Sequence, residues 1–324
     1  MRTIRSLVRR ALLLAGALAL LPAQAAWPER PIRIIFPFAV GGVGGSLTRI
    51  IADGLAERLG QAVVVDPRPG AGGALGFQMT KNAPADGYTL VVGSNGPAVL
   101  LPLMNKSVGY NVLADFEPIG MAVIGGNIIV VNSNSAVHSL DDLRQAAKSK
   151  PDKLSYGSAG NGTTFHLGPA LFDQINGSRM VHVPYKGGGP ALLGLLGGEV
   201  DVVFSAMDAV AHVNAGKLRA LAVLNKTRLA AAPTVPTTAE LGMPELEMVS
   251  FYGLLAPKGT PQPIVERLSR ELAVVVASAK VREQLGALLL EPAPDARSET
   301  FTNHIRKEVE RWGKVIEANG IKAE

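Results

Sequence analysis

The 324-residue sequence predicts an α/β fold divided into two lobes. Three observations predict it. Short β-branched runs alternate with amphipathic helical patterns along most of the chain. Two glycine-rich loops, at 37–46 and 156–164, each lie between a strand pattern and a helix pattern. Extended apolar stretches at 116–132, broken at Gly125-Gly126, and at 251–256 read as two crossings between lobes.

The elements follow in order. Ile32 to Phe38 is a first strand, and Leu47, Ile50, Ile51, Leu55 and Leu59 then recur at helical spacing, with Ser46 as the expected N-cap. Gln61 to Val65 is a strand, 67–73 a Pro/Gly turn, Leu75 to Asn82 a helix, and Tyr88 to Val92 a strand ending at Gly93-Ser94-Asn95-Gly96. After the first crossing come a helix from Ser139 to Lys148, a strand at 154–156 and a helix from Thr163 to Ile175. Val181 to Pro184 is the next strand, 189–196 a helix, and 200–204 and 220–223 are further strands. Beyond the return crossing, Pro261-Gln262-Pro263 opens a helix to about Ala277, prolines being tolerated in a first turn. Arg297 to Ala318 is a polar amphipathic helix, expected to pack back on the N-terminal lobe. The lobes are therefore expected at 26–125 plus 252–324 and at 126–251. A chain that crosses twice makes a hinge, and hinged lobes close around ligands.

Arg2, Arg5, Arg9 and Arg10 precede an apolar run, Ala11 to Leu21, and Pro22-Ala23-Gln24-Ala25. This three-part pattern reads as an export signal over 1–25, cleaved after Ala25. Eleven apolar residues are too few to span a bilayer. No later apolar run is long enough to do so, which predicts a soluble mature chain. The formal charge of +5 dissolves once the signal is set aside, because it holds four of the 32 basic residues and leaves 28 against 27 acidic. A near-neutral chain with no Lys/Arg block is a poor nucleic-acid partner. With no cysteine there is no disulfide, thiolate chemistry, cysteine-ligated metal or lipid-modified cysteine at the signal junction.

Catalytic patterns fail in detail. A nucleophile elbow needs glycine two residues before the serine, but Val92 precedes Ser94 and Tyr156 precedes Ser158. Dinucleotide-type glycine patterns begin at Gly42 and Gly70 and end at Leu47 and Leu75. Gly216-Lys217 and Gly313-Lys314 lack the hydroxyl residue of a phosphate loop. The five histidines, His138, His166, His182, His212 and His304, show no metal-ligand spacing. His166, in the first turn of a helix, has two open readings: it faces a cleft, or it orders the glycine loop. Arg68 and Lys186 have two as well, anion contact or structural pairing. No cofactor is expected.

The glycine loops themselves carry a chemistry. A backbone without side chains approaches a ligand closely, and the helix behind it offers free N–H groups and a partial positive charge. Ser158, Thr163 and Thr164 add hydroxyl donors. Two such loops from different lobes can grip one small anion.

Several motifs in the same order resemble the Bug family, the extracytoplasmic solute-binding receptors of tripartite tricarboxylate transporters. They are Trp27-Pro28-Glu29-Arg30-Pro31, Pro37-Phe38 with Gly41-Gly42, Arg68-Pro69-Gly70-Ala71-Gly72-Gly73 and Pro84-Ala85-Asp86-Gly87-Tyr88. Tyr156-Gly157-Ser158 with Gly160, Gly162 and His166, Val183-Pro184-Tyr185-Lys186-Gly187, Gly216-Lys217-Leu218-Arg219 and Ala256-Pro257-Lys258-Gly259 complete the set. The resemblance implies a two-lobed periplasmic binding protein of the type II, Venus-flytrap kind. It would perform no catalysis, hold a small organic carboxylate or dicarboxylate, and hand it to a membrane permease. The alternatives are a partner of a membrane sensor kinase and, more remotely, a hydrolase or isomerase. A monomer is expected. The implied ligand residues are Phe38, Ala39, Gly41 and Gly42 in one loop, and Ser158, Gly160, Asn161, Gly162, Thr163, Thr164 and His166 in the other. Ser94 and Asn95 form a third loop, and Ser205 stands in the turn after Phe204. Two departures bear on the ligand: Gly45 and Ser205 stand where many relatives carry Asp. An ammonium group leaving water wants a carboxylate partner, so their loss favours a plain carboxylate unless Asp208 replaces one of them.

Overall fold

The computed structural model describes residues 27–319 except 207, 226 and 230. The expected export signal over 1–25 lies outside the described residues. The first lobe begins with β1 (Ile32–Phe36), whose IRIIF run is buried, followed by α1 (Gly42–Leu59), β2 (Val63–Pro67), α2 (Ala74–Lys81) and β3 (Thr89–Ser94). A π-turn over Asn95–Leu100 leads into the short helices α3 (Leu101–Met104) and α4 (Val112–Asp115), then β4 (Phe116–Gly125).

The second lobe runs β5 (Asn127–Asn132), α5 (Leu140–Ser149), β6 (Ser155–Ser158), α6 (Thr164–Asn176), β7 (Val181–Pro184), α7 (Gly188–Gly197), β8 (Val202–Ala206), α8 (Ala209–Asn214) and β9 (Leu218–Val223). The chain returns in β10 (Ser250–Pro257), then α9 (Gln262–Ala277), α10 (Ala279–Ala287), β11 (Leu290–Pro292) and α11 (Ser298–Asn319). Among the described residues no helix is long and apolar enough to cross a membrane.

Two sheets organise these elements. The first has the order β11-β4-β10-β3-β1-β2, the second β7-β6-β8-β5-β9. In the first, β1 lies parallel to β2 and β3, while β10 runs antiparallel between β3 and β4. The chain leaves the first sheet at Gly125, enters the second at Asn127, and is back in the first by Ser250, which pairs with Gly125. Two buried asparagines stitch the crossings together. Asn127 Nδ2 donates to the Met248 carbonyl at 2.8 Å, and its Oδ1 accepts the Ser250 hydroxyl at 2.9 Å. Asn95 Nδ2 donates to the Val249 carbonyl, and its Oδ1 accepts the Phe251 N–H at 2.8 Å.

α1 buries Leu47, Ile51, Leu55 and Leu59 along one stripe and stops at Gly60, whose left-handed φ of 67° suits a glycine cap. It begins five residues earlier than the sequence predicts. Gly42 to Gly45 form its first turn, and Gly41, not Ser46, takes the N-cap position. Glycine is a weak helix former, but packing demands it here: a Cβ on Gly44 would press to 3.2–3.3 Å against the Phe36 and Tyr252 rings. α9 and α11 pack on β4, and α9 also on α1, so the C-terminal segment completes the first lobe. A single core cluster, including Phe77, Phe116, Phe172, Phe204, Phe251 and Trp312, reaches into both lobes.

Candidate functional site

Between the lobes lies a cleft of about 620 Å³, counted to its open mouth. The first lobe supplies Phe36, Phe38, Ala39, Gly41 to Gly44, Ser94 to Gly96 and Tyr252, and the second supplies Ala159, Thr163 to Phe165, Gly188, Gly189 and Asp208. The lobes touch around it. The Ala39 N–H donates to the Lys186 carbonyl at 2.9 Å, and a Cβ on Gly96 would stand 2.9 Å from Thr163 Cα.

Three helices point their N-termini at this space: α1 from one lobe, α6 and α7 from the other. All three lack what normally quiets a helix start. None has a side-chain cap on its N-cap residue (Gly41, Thr163, Gly187), and none has an acidic residue in its first turn. In α6 the first intrahelical bonds are those of His166 and Leu167 to the Thr163 carbonyl, so the Thr164 and Phe165 N–H groups come before them and are left for other acceptors. Each such terminus favours an anion by ~0.3–1 kcal/mol when exposed and up to ~2 kcal/mol when partly buried.

Among the described lining residues the only charged side chain is Asp208. Its carboxylate reaches across from the second lobe to the first turn of α1, where a Cβ on Gly42 would lie 3.6 Å from Oδ2. It accepts the Ser205 hydroxyl at 3.4 Å. Burial pushes this carboxyl above its ordinary range, and the nearby Val43 and Ala209 N–H groups and the Ser205 hydroxyl only partly offset the loss of water. Burial, and then the nearby Asp208 charge, push the Tyr252 phenol up as well.

Of the residues expected from sequence, Phe38, Ala39, Gly41, Gly42, Ser94, Asn95, Thr163 and Thr164 line the cleft. Gly160 and Asn161 line a separate groove with Gly70 to Gly73 and Pro184 to Lys186. Ser158, Gly162, His166 and Ser205 do not line the cleft, and the reasons are local. Ser158 is fully buried, 2.6 Å from His182 Nε2, and its Oγ accepts the Gly160 N–H. Gly162 donates its N–H to His166 Nδ1 at 3.1 Å, so of the two readings His166 orders the loop. Ser205 is buried behind Asp208. Asn95 lines the cleft, yet its amide is bonded to both sides of the return crossing, which makes it a hinge clamp. Arg68 is paired with Asp66 and does not line the cleft.

Sequence reasoning missed Gly188 and Gly189, although Gly187-Gly188-Gly189 repeats the strand–glycine–helix pattern of the other loops. It left Asp208 conditional and had no signal for Tyr252, which enters from the return crossing.

The second loop rests on a histidine pair, His166 buried and His182 half-buried. The His166 and His182 rings stack at 4.2 Å with 9° between planes, and Tyr156 stacks on His182 at 4.9 Å. Burial, and then the charge that His166 would carry, lower His182 from 6.5 to about 4. The folded chain therefore keeps His182 neutral, while the unfolded chain binds a proton below pH 6.5. Stability should fall as pH drops from 6.5 towards 4 and lose nothing further from this group below that. Melting temperatures across this window should drop less in His182→Gln than in the wild type; parallel curves would remove the assignment.

Comparison with known proteins agrees with this construction. Residues 47–321 match the model of the tripartite tricarboxylate transporter family receptor. The chain is 38% identical over 299 residues to protein BugT of Bordetella pertussis, covering 91% of each. Its fold superposes on the periplasmic binding protein BugD with a TM-score of 0.88 at 31% identity, covering 92% of this chain and 100% of that one. It superposes on R. palustris Rpa4515 with adipate with a TM-score of 0.86 at 33% identity, covering 91% and 99%. Fold and cleft thus define a two-lobed solute-binding receptor of the periplasmic binding-protein class, not an enzyme. Within that class, the chain belongs to the tripartite tricarboxylate transporter receptor family.

Proposed function

We propose that this chain captures a small organic carboxylate between its lobes, 26–125 plus 252–324 and 126–251, and delivers it to the membrane permease of a tripartite transporter. One observation carries the reading: helix N-termini with no cap from their own N-cap residues converge from both lobes on a cleft that no lysine, arginine or histidine among the described residues lines. Main-chain donors therefore do the anion binding. Phe36, Phe38, Phe165 and Tyr252 wall the cleft and shelter the ligand's carbon skeleton. The adipate held by Rpa4515 supports a carboxylate as the ligand class. Export with removal of 1–25, a free periplasmic monomer, and closure of the lobes on ligand belong to the same reading. Binding that involves both lobes shifts the protein towards its closed form by the ligand's differential affinity for that form.

The test is direct. Mass spectrometry of freshly purified protein should find a retained carboxylate. At a concentration of 100 Kd that compound should stabilise the fold by ~2.7 kcal/mol, raising Tm by roughly 5–10 °C. A broad carboxylate panel that gives neither a thermal shift nor calorimetric heat would sink the proposal.

A further inference from the structure

The starts of α1 and α7 meet head to head across the cleft: a Cβ placed on Gly42 would lie 3.1 Å from the Gly189 nitrogen and 3.6 Å from Asp208 Oδ2. Two positive helix ends in contact repel unless an anion stands between them. The protein supplies that anion itself. Asp208 reaches the start of α1 from the opposite lobe, where a Cβ on Gly42 would lie 3.6 Å from its Oδ2, and it accepts the Ser205 hydroxyl at 3.4 Å. Among the described lining residues no acid stands at the α6 start, Thr163 to Phe165, and its first turn contains none. The cleft is therefore polarised. One end offers main-chain donors; the other presents a carboxylate already in place beside Tyr252.

We propose that Asp208 is the specificity-determining residue of this cleft. It fills the anion position at α1, so that the cleft selects a ligand with one carboxylate, seated at α6, and a neutral or cationic hydrogen-bond donor directed at Asp208. A second ligand carboxylate would face Asp208 with no cationic side chain among the described lining residues to offset it. An ammonium, amide or hydroxyl group would instead meet an acceptor that burial has already stripped of water. The inference rests on the carboxylate-binding reading above and narrows it.

Calorimetric titration of the mature protein at pH 8 tests it with matched probes of equal length. These are butyrate, succinate and 4-aminobutyrate; hexanoate, adipate and 6-aminohexanoate; and benzoate, terephthalate and 4-aminobenzoate. Within any set that binds, the wild type should favour the monocarboxylate or the amino acid over the dicarboxylate by roughly tenfold or more, as expected for facing like charges. Asp208→Asn should reduce or reverse that ratio by raising dicarboxylate affinity. Equal or tighter wild-type binding of the dicarboxylate overturns the inference, as does an unchanged ratio in Asp208→Asn. If that variant does not fold, the wild-type ratio decides alone. Silence across the whole panel overturns the carboxylate reading itself, and the inference with it.

Discussion

Gly189→Val is expected to weaken carboxylate binding by at least about 100-fold while leaving the separate lobes folded. The residue sits in the first turn of α7, where its backbone needs no left-handed conformation, so a side chain adds no strain within its own lobe. The conflict lies across the cleft. The first added carbon would stand 2.9 Å from the Gly42 nitrogen and 3.1 Å from the Gly41 carbonyl carbon, tighter than van der Waals contact allows. Both neighbours are backbone and cannot rotate away, so the lobes must part. The cleft then opens and the ligand loses the wall that the first lobe supplies, Phe36, Phe38 and Tyr252 included; a 100-fold loss corresponds to ~2.7 kcal/mol. Calorimetry and a melting curve of the free protein check this together. Wild-type affinity would remove the two-lobe model, and a collapse of Tm in the free protein would show that the residue acts on folding instead.

The largest loss of stability is expected from Trp312→Ala. Trp312 lies on α11 with only 1% of its surface exposed. It belongs to one core cluster with Phe301, Ile305 and Ile316 of the same helix and Phe116 and Phe251 of the sheet it covers. Its indole N–H donates to Glu308 at 2.9 Å, and the Arg311 guanidinium lies 4.9 Å from its ring centroid. Truncation leaves a cavity that a helix pinned against β4 cannot collapse to fill, at a cost of about 3–5 kcal/mol. The corresponding drop in Tm is roughly 10 °C. Trp312→Phe should cost less than half of that. A drop of only a few degrees for the alanine variant would mean that α11 contributes little to the first lobe.

Much of the fold is legible in the sequence, for reasons that act over short distances. Strand and helix periods, the Gly125-Gly126 break and the Ser139 cap depend on neighbours along the chain. Ser139 Oγ accepts the Asp142 N–H at 3.0 Å, as its position predicts. The glycine loops are legible too, because only glycine permits so close an approach. Their ends were harder to read. Gly42 to Gly45 look like loop residues by propensity, yet the rings of Phe36 and Tyr252 require glycine in the first turn of α1. Ser158 and His166 have the chemistry of ligand residues, but His182, arriving from β7, and the Gly162 N–H engage them in the wall.

By itself, the sequence determined the alternating elements, the two crossings and the presence of glycine-lined helix starts. Each of these follows from residues a few positions apart and from the absence of a side chain. The tertiary structure alone decided which donors face the cleft and which are already taken. Asp208 meets the Gly42 end of α1, and Asn95 clamps Phe251, across spans of chain that leave no local pattern. Electrostatic and hydrogen-bond partnership depends on distance through space, and that distance exists only once the lobes have packed.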